Sequence, residues 1–209
     1  VAVAVECFHA NLFFNRETVD APRRARDLIA KIGAHESLPC LSQAIYGLVQ
    51  VLTVEEIFFR LVFWSHQDPK GGAASNDPTR MCELAAAMTI CSLCAHPVSS
   101  EAGLFLNAAK AMVETCAKLD LANETRNRMD GFRLALVGDL MTSDLEFDQC
   151  SSASFDCVTV LAHALAHRQR NNTTEAEVLF HLLDPEPQHR VVYPDAFMYG
   201  CLRPQRTAP

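Results

Sequence analysis

The sequence predicts an all-α fold made of helix–turn–helix repeats stacked as a short α-solenoid. Apolar residues recur at helical spacing along almost the whole chain, and no segment shows the sustained alternation typical of a β-strand. The predicted helices come in pairs that resemble one another, with weak internal similarity near the repeat length of helix-hairpin solenoids. A chain of 209 residues is long enough to bury one continuous core, so we expect a single helical-repeat domain over residues 1–209.

The helices of the N-terminal part are predicted from apolar spacing and N-cap residues. They cover residues 5–14, 21–33 and 39–52, and a fourth begins after Thr53. Asp20 and Thr53 carry side-chain oxygens that accept hydrogen bonds from the unpaired N–H groups of a first helical turn. Glu55 and Glu56 follow Thr53, where carboxylates favour the positive end of the helix dipole. Both starts are therefore typical helix N-termini.

The C-terminal part opens with the clearest loop of the chain, the Gly-, Asn-, Asp- and Pro-rich stretch 68–78. Helices are predicted over 79–94, from Ser99 or Ser100 to about 119, over 124–141, over 154–169 and over 174–183. Residues 143–149 are acidic and are predicted to form a connection. Its carboxylates, Asp144, Glu146 and Asp148, lack the glycine that a calcium loop needs, which indicates a solvated loop.

Net charge and hydropathy limit the classes of partner. The formal net charge is −7, whereas a protein that wraps nucleic acid by itself is usually basic. The longest apolar stretch, around residues 57–64, is interrupted by Arg60, so no membrane span is expected. The chain begins at Val1 without a Met or a basic n-region, which indicates a removed targeting segment or the inside of a longer chain.

The cysteines indicate buried, reduced thiols. There are nine of them, an odd number at irregular spacing, and most lie in apolar helical surroundings. These are Cys40, Cys82, Cys91, Cys116 and Cys157. Cys91 and Cys94 have the two-residue gap of a zinc or redox pair, but no second pair completes a zinc site. We therefore interpret them as core thiols.

His163 and His167 lie one helical turn apart, a spacing that can bind a metal on one helix face. No glutamate follows them as in a zinc protease, so surface or partly packed histidines are the preferred interpretation. An enzymatic alternative would require this pair and Cys91/Cys94 to converge on one metal. No phosphate loop, nucleophile elbow or dinucleotide fingerprint occurs. The sequence thus predicts no catalytic residue, no metal and no cofactor.

The segment 154–202 contains the most specific pattern of the chain. Its first helix includes the run Ala162-His163-Ala164-Leu165-Ala166, and its second the run Glu175-Ala176-Glu177-Val178-Leu179-Phe180. Pro194-Asp195 then begins a further unit with Tyr199 and Leu202. This pattern resembles the pentatricopeptide repeat family and covers about a quarter of the chain. Small residues let the two helices approach closely, and one hairpin cannot bury its apolar face without stacked neighbours.

The resemblance implies candidate RNA-binding residues. Family members commonly bind single-stranded RNA through a polar side chain on the first helix of each repeat. Thr159 corresponds to that reading position, whereas Gly200 and Gly47 stand at the equivalent positions of neighbouring units and offer no side-chain donor or acceptor. The nearby basic cluster is either a solubilising surface or a second candidate set for contact with RNA phosphates; it consists of Arg168, Arg170, Arg203 and Arg206.

The resemblance also implies a cellular context, because such repeat proteins act mainly in organellar RNA metabolism and translation. We therefore expect a structural subunit of a mitochondrial (matrix) ribonucleoprotein, a mitochondrial ribosome first of all. Its partners would be other protein subunits and ribosomal RNA, contacted without sequence specificity, and not DNA. The alternative is a protein-only helical adaptor, such as an accessory subunit of a respiratory complex.

Overall fold

The computed structural model describes residues 21–34, 45, 48, 52–66, 77–95, 101–149 and 157–183. Within these ranges the chain forms α-helices and no strand, which confirms the all-α prediction. The helices are α1 (Ala21–Ala34), α2 (Val54–His66), α3 (Pro78–Cys94), α4 (Ala102–Ala117), α5 (Asn123–Val137), α6 (Leu140–Asp148), α7 (Cys157–Gln169) and α8 (Thr173–Leu183). None of them is both long and apolar enough to cross a bilayer.

The first two helices agree with the sequence prediction. The Thr53 hydroxyl accepts a hydrogen bond from the Glu56 N–H at 3.2 Å, which confirms Thr53 as the N-cap of α2. Glu56 also ties α2 to α1, because the Arg26 guanidinium donates to both oxygens of its carboxylate at 2.7 and 3.1 Å. This ion pair lowers the pKa of Glu56. The predicted helix over 5–14 and most of that over 39–52 lie outside the described residues.

Helix α3 is the centre of the packing. Asp77 is its N-cap and Pro78 its first residue, so the helix begins one residue earlier than predicted and shortens the expected loop. Its middle is buried on all sides, from Leu84 to Leu93. Such a helix must be covered by several neighbours. Helices α2, α4, α5 and α7 pack against it. The next helix begins at Ala102, and the preceding Glu101 makes no side-chain capping bond; Ser99 and Ser100 lie outside the described residues.

The predicted helix over 124–141 is confirmed as far as Val137, whereas its predicted end and the predicted acidic connection over 143–149 are wrong. Helix α5 ends before Gly138, which adopts a left-handed conformation with φ 80°. Its N–H and that of Asp139 bond back to the carbonyls of Ala135 and Leu134. These two bonds form a Schellman motif, a common helix ending that favours glycine. Asp139 then caps α6 through a bond from the Thr142 N–H at 3.3 Å. The acidic residues therefore lie on a helix.

Helices α7 and α8 form the predicted last hairpin, and the polar turn lies between them as expected. The small residues Ala162, Ala164, Ala166 and Ala176 are buried, which agrees with close approach of the two helices. Helix α7 also contacts α3, α5 and α6. A single contiguous core runs from Ala25 to Ala166 through the described part of the chain. The hairpin is thus built into the fold by its neighbours, as the stacking argument requires.

Candidate functional site at the last hairpin

The turn between α7 and α8 is anchored to two other helices. Its own geometry is a second Schellman motif: Asn171 takes the left-handed conformation with φ 60°, and the Asn172 N–H donates to the His167 carbonyl at 3.0 Å. The side-chain amide of Gln169 lies 3.5 and 3.4 Å from the Ser92 and Ala95 carbonyls at the C-terminal end of α3. The Ser92 carbonyl also accepts the Ala95 N–H at 3.2 Å, and the glutamine adds a side-chain cap to this helix end.

Arg170 caps the C-terminal end of α5, as Gln169 caps that of α3. Its guanidinium donates to the Val137 carbonyl at 3.2 Å and lies directly over Gly138. A cation here is favoured by the negative end of the helix dipole. Arg168, by contrast, stacks its guanidinium on the Phe180 ring of α8 at 5.7 Å and is exposed. Both arginines are exposed; Arg168 lies over an aromatic ring, whereas one guanidinium nitrogen of Arg170 donates to a backbone carbonyl.

Thr159, the predicted base-reading residue, is buried with only 5 % of its surface exposed. A base would reach its hydroxyl only after a rearrangement of the hairpin, so the structure gives this prediction no support. Arg203, Arg206, Gly200 and Gly47 lie outside the described residues. The exposed candidates for RNA contact in the described part of the chain are therefore Arg168 and Arg170.

Three metal-ligating side chains converge beside this turn. Asp144 of α6 contacts His163 of α7 through Oδ1 and Nε2, and its Oδ1 lies 3.4 Å from Nε2 of His167. The two Nε2 atoms are 3.0 Å apart. The exposed fractions of the side chains are 35 % for Asp144, 13 % for His163 and 6 % for His167. The cluster therefore lies at the edge of the core, with its carboxylate on the solvent side.

Neighbouring side chains hold both imidazoles in place. The Phe147 ring lies 5.5 Å from the His163 ring, and the two histidine rings are 4.8 Å apart. On the other side of His167, the Asn172 side-chain amide lies 2.9 Å from Nδ1. The sequence reveals the histidine spacing but not the third ligand, because the acidic run around Asp144 predicts a loop. The missed signal is the Gly138-Asp139 pair, which ends one helix and caps the next.

The cysteine pair does not take part in this cluster. Cys91 is fully buried and its thiol donates to the Val54 carbonyl at 3.7 Å. Burial raises the pKa of Cys91 and raises that of Cys94 to about 12, so the neutral thiols are favoured. Cys82 and Cys116 are buried as well, and none of these four cysteines forms a disulfide. The structure thus supports the interpretation of Cys91 and Cys94 as core thiols.

Comparison with known proteins adds no relative to this picture. Neither the protein-family models, nor the curated proteins, nor the solved structures contain a match to this chain.

Proposed function

We propose that this chain is a helical-repeat scaffold subunit of an organellar ribonucleoprotein, with a mitochondrial ribosome as the first assembly to test. The observation that carries the proposal is the last hairpin. Over its described residues, the segment that resembles a pentatricopeptide repeat forms two helices joined by a turn, and the first of them, α7, packs on α3, α5 and α6. The proposal assigns the chain no catalytic role.

Scaffolding through protein contacts is supported by exposed apolar side chains at helical spacing. On α2, Phe59 and Phe63 are 57 % and 52 % exposed and lie one turn apart, on one side of the helix. Met141 and Leu145 form a second exposed pair on α6. Large apolar side chains that share a helix face are a common feature of protein interaction sites. A subunit buried in an assembly would cover both pairs.

RNA contact would be local and electrostatic. The net charge of −7 opposes general attraction to phosphate, so a contact needs a specific exposed cation. Arg168 offers one, positioned by its stacking on Phe180. With Thr159 buried, such a contact would use the RNA backbone and would have no base preference. This supports a structural subunit over a factor that reads RNA sequence.

The test is purification of the tagged chain from isolated mitochondria, followed by ultraviolet crosslinking and mapping of its RNA and protein neighbours. We expect co-sedimentation with a ribonucleoprotein and crosslinks to RNA near Arg168 that Arg168→Gln reduces. Phe59→Glu with Phe63→Glu should release the chain from the particle, while Arg23→Glu, an exposed change on α1, should not.

Two results would contradict the proposal. Absence from mitochondria would remove the assigned compartment. A particle that contains only proteins and survives ribonuclease unchanged would favour the alternative, a protein-only adaptor or accessory subunit. That alternative is supported by the same apolar pairs and by the negative net charge, so RNA crosslinking separates the two functions.

A further inference from the structure

We infer that Asp144, His163 and His167 form a binding site for a divalent transition-metal ion, with Zn²⁺ as the reference ligand. The site is independent of the proposed scaffold function and would connect α6 to α7. The three ligand atoms, one carboxylate oxygen and two imidazole nitrogens, all lie within 4.8 Å of one another. Two histidines and one carboxylate are a donor set that Zn²⁺ and Fe²⁺ accept, whereas Ca²⁺ and Mg²⁺ prefer oxygen ligands.

Two of the three separations fit ligands of a single ion, whereas the third pair, Asp144 Oδ1 and His163 Nε2, is in direct contact and would move apart when an ion binds. Two nitrogens bound to zinc at about 2.0–2.1 Å in a tetrahedral arrangement are about 3.3 Å apart. The observed separations are 3.0 Å between the two Nε2 atoms and 3.4 Å from His167 Nε2 to the Asp144 carboxylate. Small adjustments of side chains that already converge would therefore complete the coordination.

Hydrogen bonds alone do not pair all three ligand atoms well. Each Nε2 carries at most one proton, so a proton that His163 donates to Asp144 can reach His167 only as a three-centre bond, in which the two acceptors share one N–H. If both Nε2 atoms carried protons, two N–H groups would face each other across 3.0 Å. A cation between the three atoms interacts favourably with both lone pairs and with the carboxylate at once. The convergence is therefore better explained by a metal than by a hydrogen-bonded triad.

The surroundings supply the support that a metal site needs. Ligating histidines usually donate their second ring N–H to a polar partner, which fixes the tautomer. The Asn172 side-chain amide lies beside this second ring nitrogen of His167, with its Nδ2 at 2.9 Å from Nδ1. When its amide is turned so that the oxygen faces Nδ1–H, the lone pair of Nε2 points to the cluster. Both imidazoles are largely buried, so binding orders few side-chain rotamers.

Three protein ligands leave a fourth position of a tetrahedral ion for water or an external ligand. The exposed side of Asp144 gives solvent a route to it. The chain therefore holds the ion as an open, three-ligand site at the edge of the α6–α7 contact.

The test uses the purified, reduced protein, freed of metal by chelation. Titration with Zn²⁺ should show one site by calorimetry, and saturating Zn²⁺ should raise the melting temperature by about 5–10 °C, because the three ligands are held together only in the folded chain. Co²⁺ should give the visible spectrum of a nitrogen- and oxygen-ligated ion without a strong sulfur charge-transfer band. This readout matters because the chain has nine cysteines.

The variants Asp144→Asn and His163→Gln keep side-chain size and should weaken Zn²⁺ binding by about 100-fold, since each removes one ligand. Glu146→Gln on the same helix and His66→Gln on α2 are matched controls and should bind as the parent does. Circular dichroism confirms that each variant is folded. The inference is overturned if no stoichiometric site is found, if the cobalt spectrum shows thiolate ligation, or if folded Asp144→Asn and His163→Gln bind Zn²⁺ as tightly as the parent.

Discussion

The guanidinium of Arg170, in the turn after α7, lies directly over Gly138, which ends α5. Both of these helices end in a Schellman motif. A Cβ atom at Gly138 would stand 1.9 Å from the nearest Arg170 nitrogen. The same guanidinium donates to the Val137 carbonyl at 3.2 Å. Gly138 ends α5 and Asn171 ends α7, both in the left-handed conformation. The arginine between them thus fixes the position of the α7–α8 turn relative to α5.

Gly138→Ala is expected to destabilise the fold by about 1–2 kcal/mol, because the left-handed conformation disfavours a residue with a Cβ and the arginine must move. Urea unfolding measures the free energy. Gly103→Ala is the control, since nothing lies within 4 Å of a Cβ there and the helix gains propensity. In an Arg170→Ala background, Gly138→Ala should cost less. Equal costs in both backgrounds would mean that the contact contributes nothing.

The contact of Gly131 with Phe147 holds α6 against α5. A Cβ at Gly131 would lie 2.3 Å from the Phe147 ring, and the Ser143 hydroxyl donates to the Gly131 carbonyl at 2.9 Å. Gly131→Ala should therefore destabilise the protein by about 1–3 kcal/mol through overpacking, despite its better helix propensity. A double-mutant cycle with Phe147→Leu should recover much of this loss, measured by urea unfolding. An additive cycle would show that the ring is not what excludes the methyl group.

Much of the fold could be predicted from the sequence because helical periodicity and capping residues act locally. Thr53 marks a helix start that the structure retains, and the start predicted at residue 79 differs from the observed one at Pro78 by a single residue. The break at Gly138 was missed because apolar residues continue on both sides of it, and a single glycine inside such a pattern is tolerated in many helices. The sequence does not predict α6, because its acidic residues obscure the helical spacing of the apolar residues Leu145 and Phe147. Phe147 is buried in the structure.

The candidate site could be predicted only in part, because its third ligand is brought in by tertiary packing. His163 and His167 share a helix face by spacing alone. Asp144 lies 23 residues before His167 and reaches it only because α6 packs on α7. The burial of Thr159 is equally tertiary, since it depends on the neighbours of α7. Spacing within one helix can therefore suggest a pair of ligands, but the third ligand and the exposure of a reading position require the packed structure.

Ala164→Glu tests the hairpin itself. Ala164 is fully buried on α7, so a glutamate there must be desolvated or must push its neighbours apart. We expect a loss of about 3 kcal/mol or more in the free energy of unfolding. Val178→Glu on the exposed face of α8 is the control and should change it by less than about 0.5 kcal/mol. An Ala164→Glu variant as stable as the parent would contradict the packing of this hairpin.

Substitutions of Asn172 test whether its side chain orients His167 for metal binding. Asn172→Asp places a stronger acceptor beside Nδ1–H of His167, which should make Nε2 a better ligand and tighten Zn²⁺ binding. Asn172→Ala removes the acceptor and should weaken binding by about 10–100-fold. Asn127→Ala is the control, because that amide bonds to Gln149. Calorimetric Zn²⁺ titration gives the order. If the Asn172→Ala and Asn172→Asp variants bind Zn²⁺ equally tightly, the amide does not orient His167. A group that fixes the imidazole tautomer must change the Zn²⁺ affinity when its acceptor is lost.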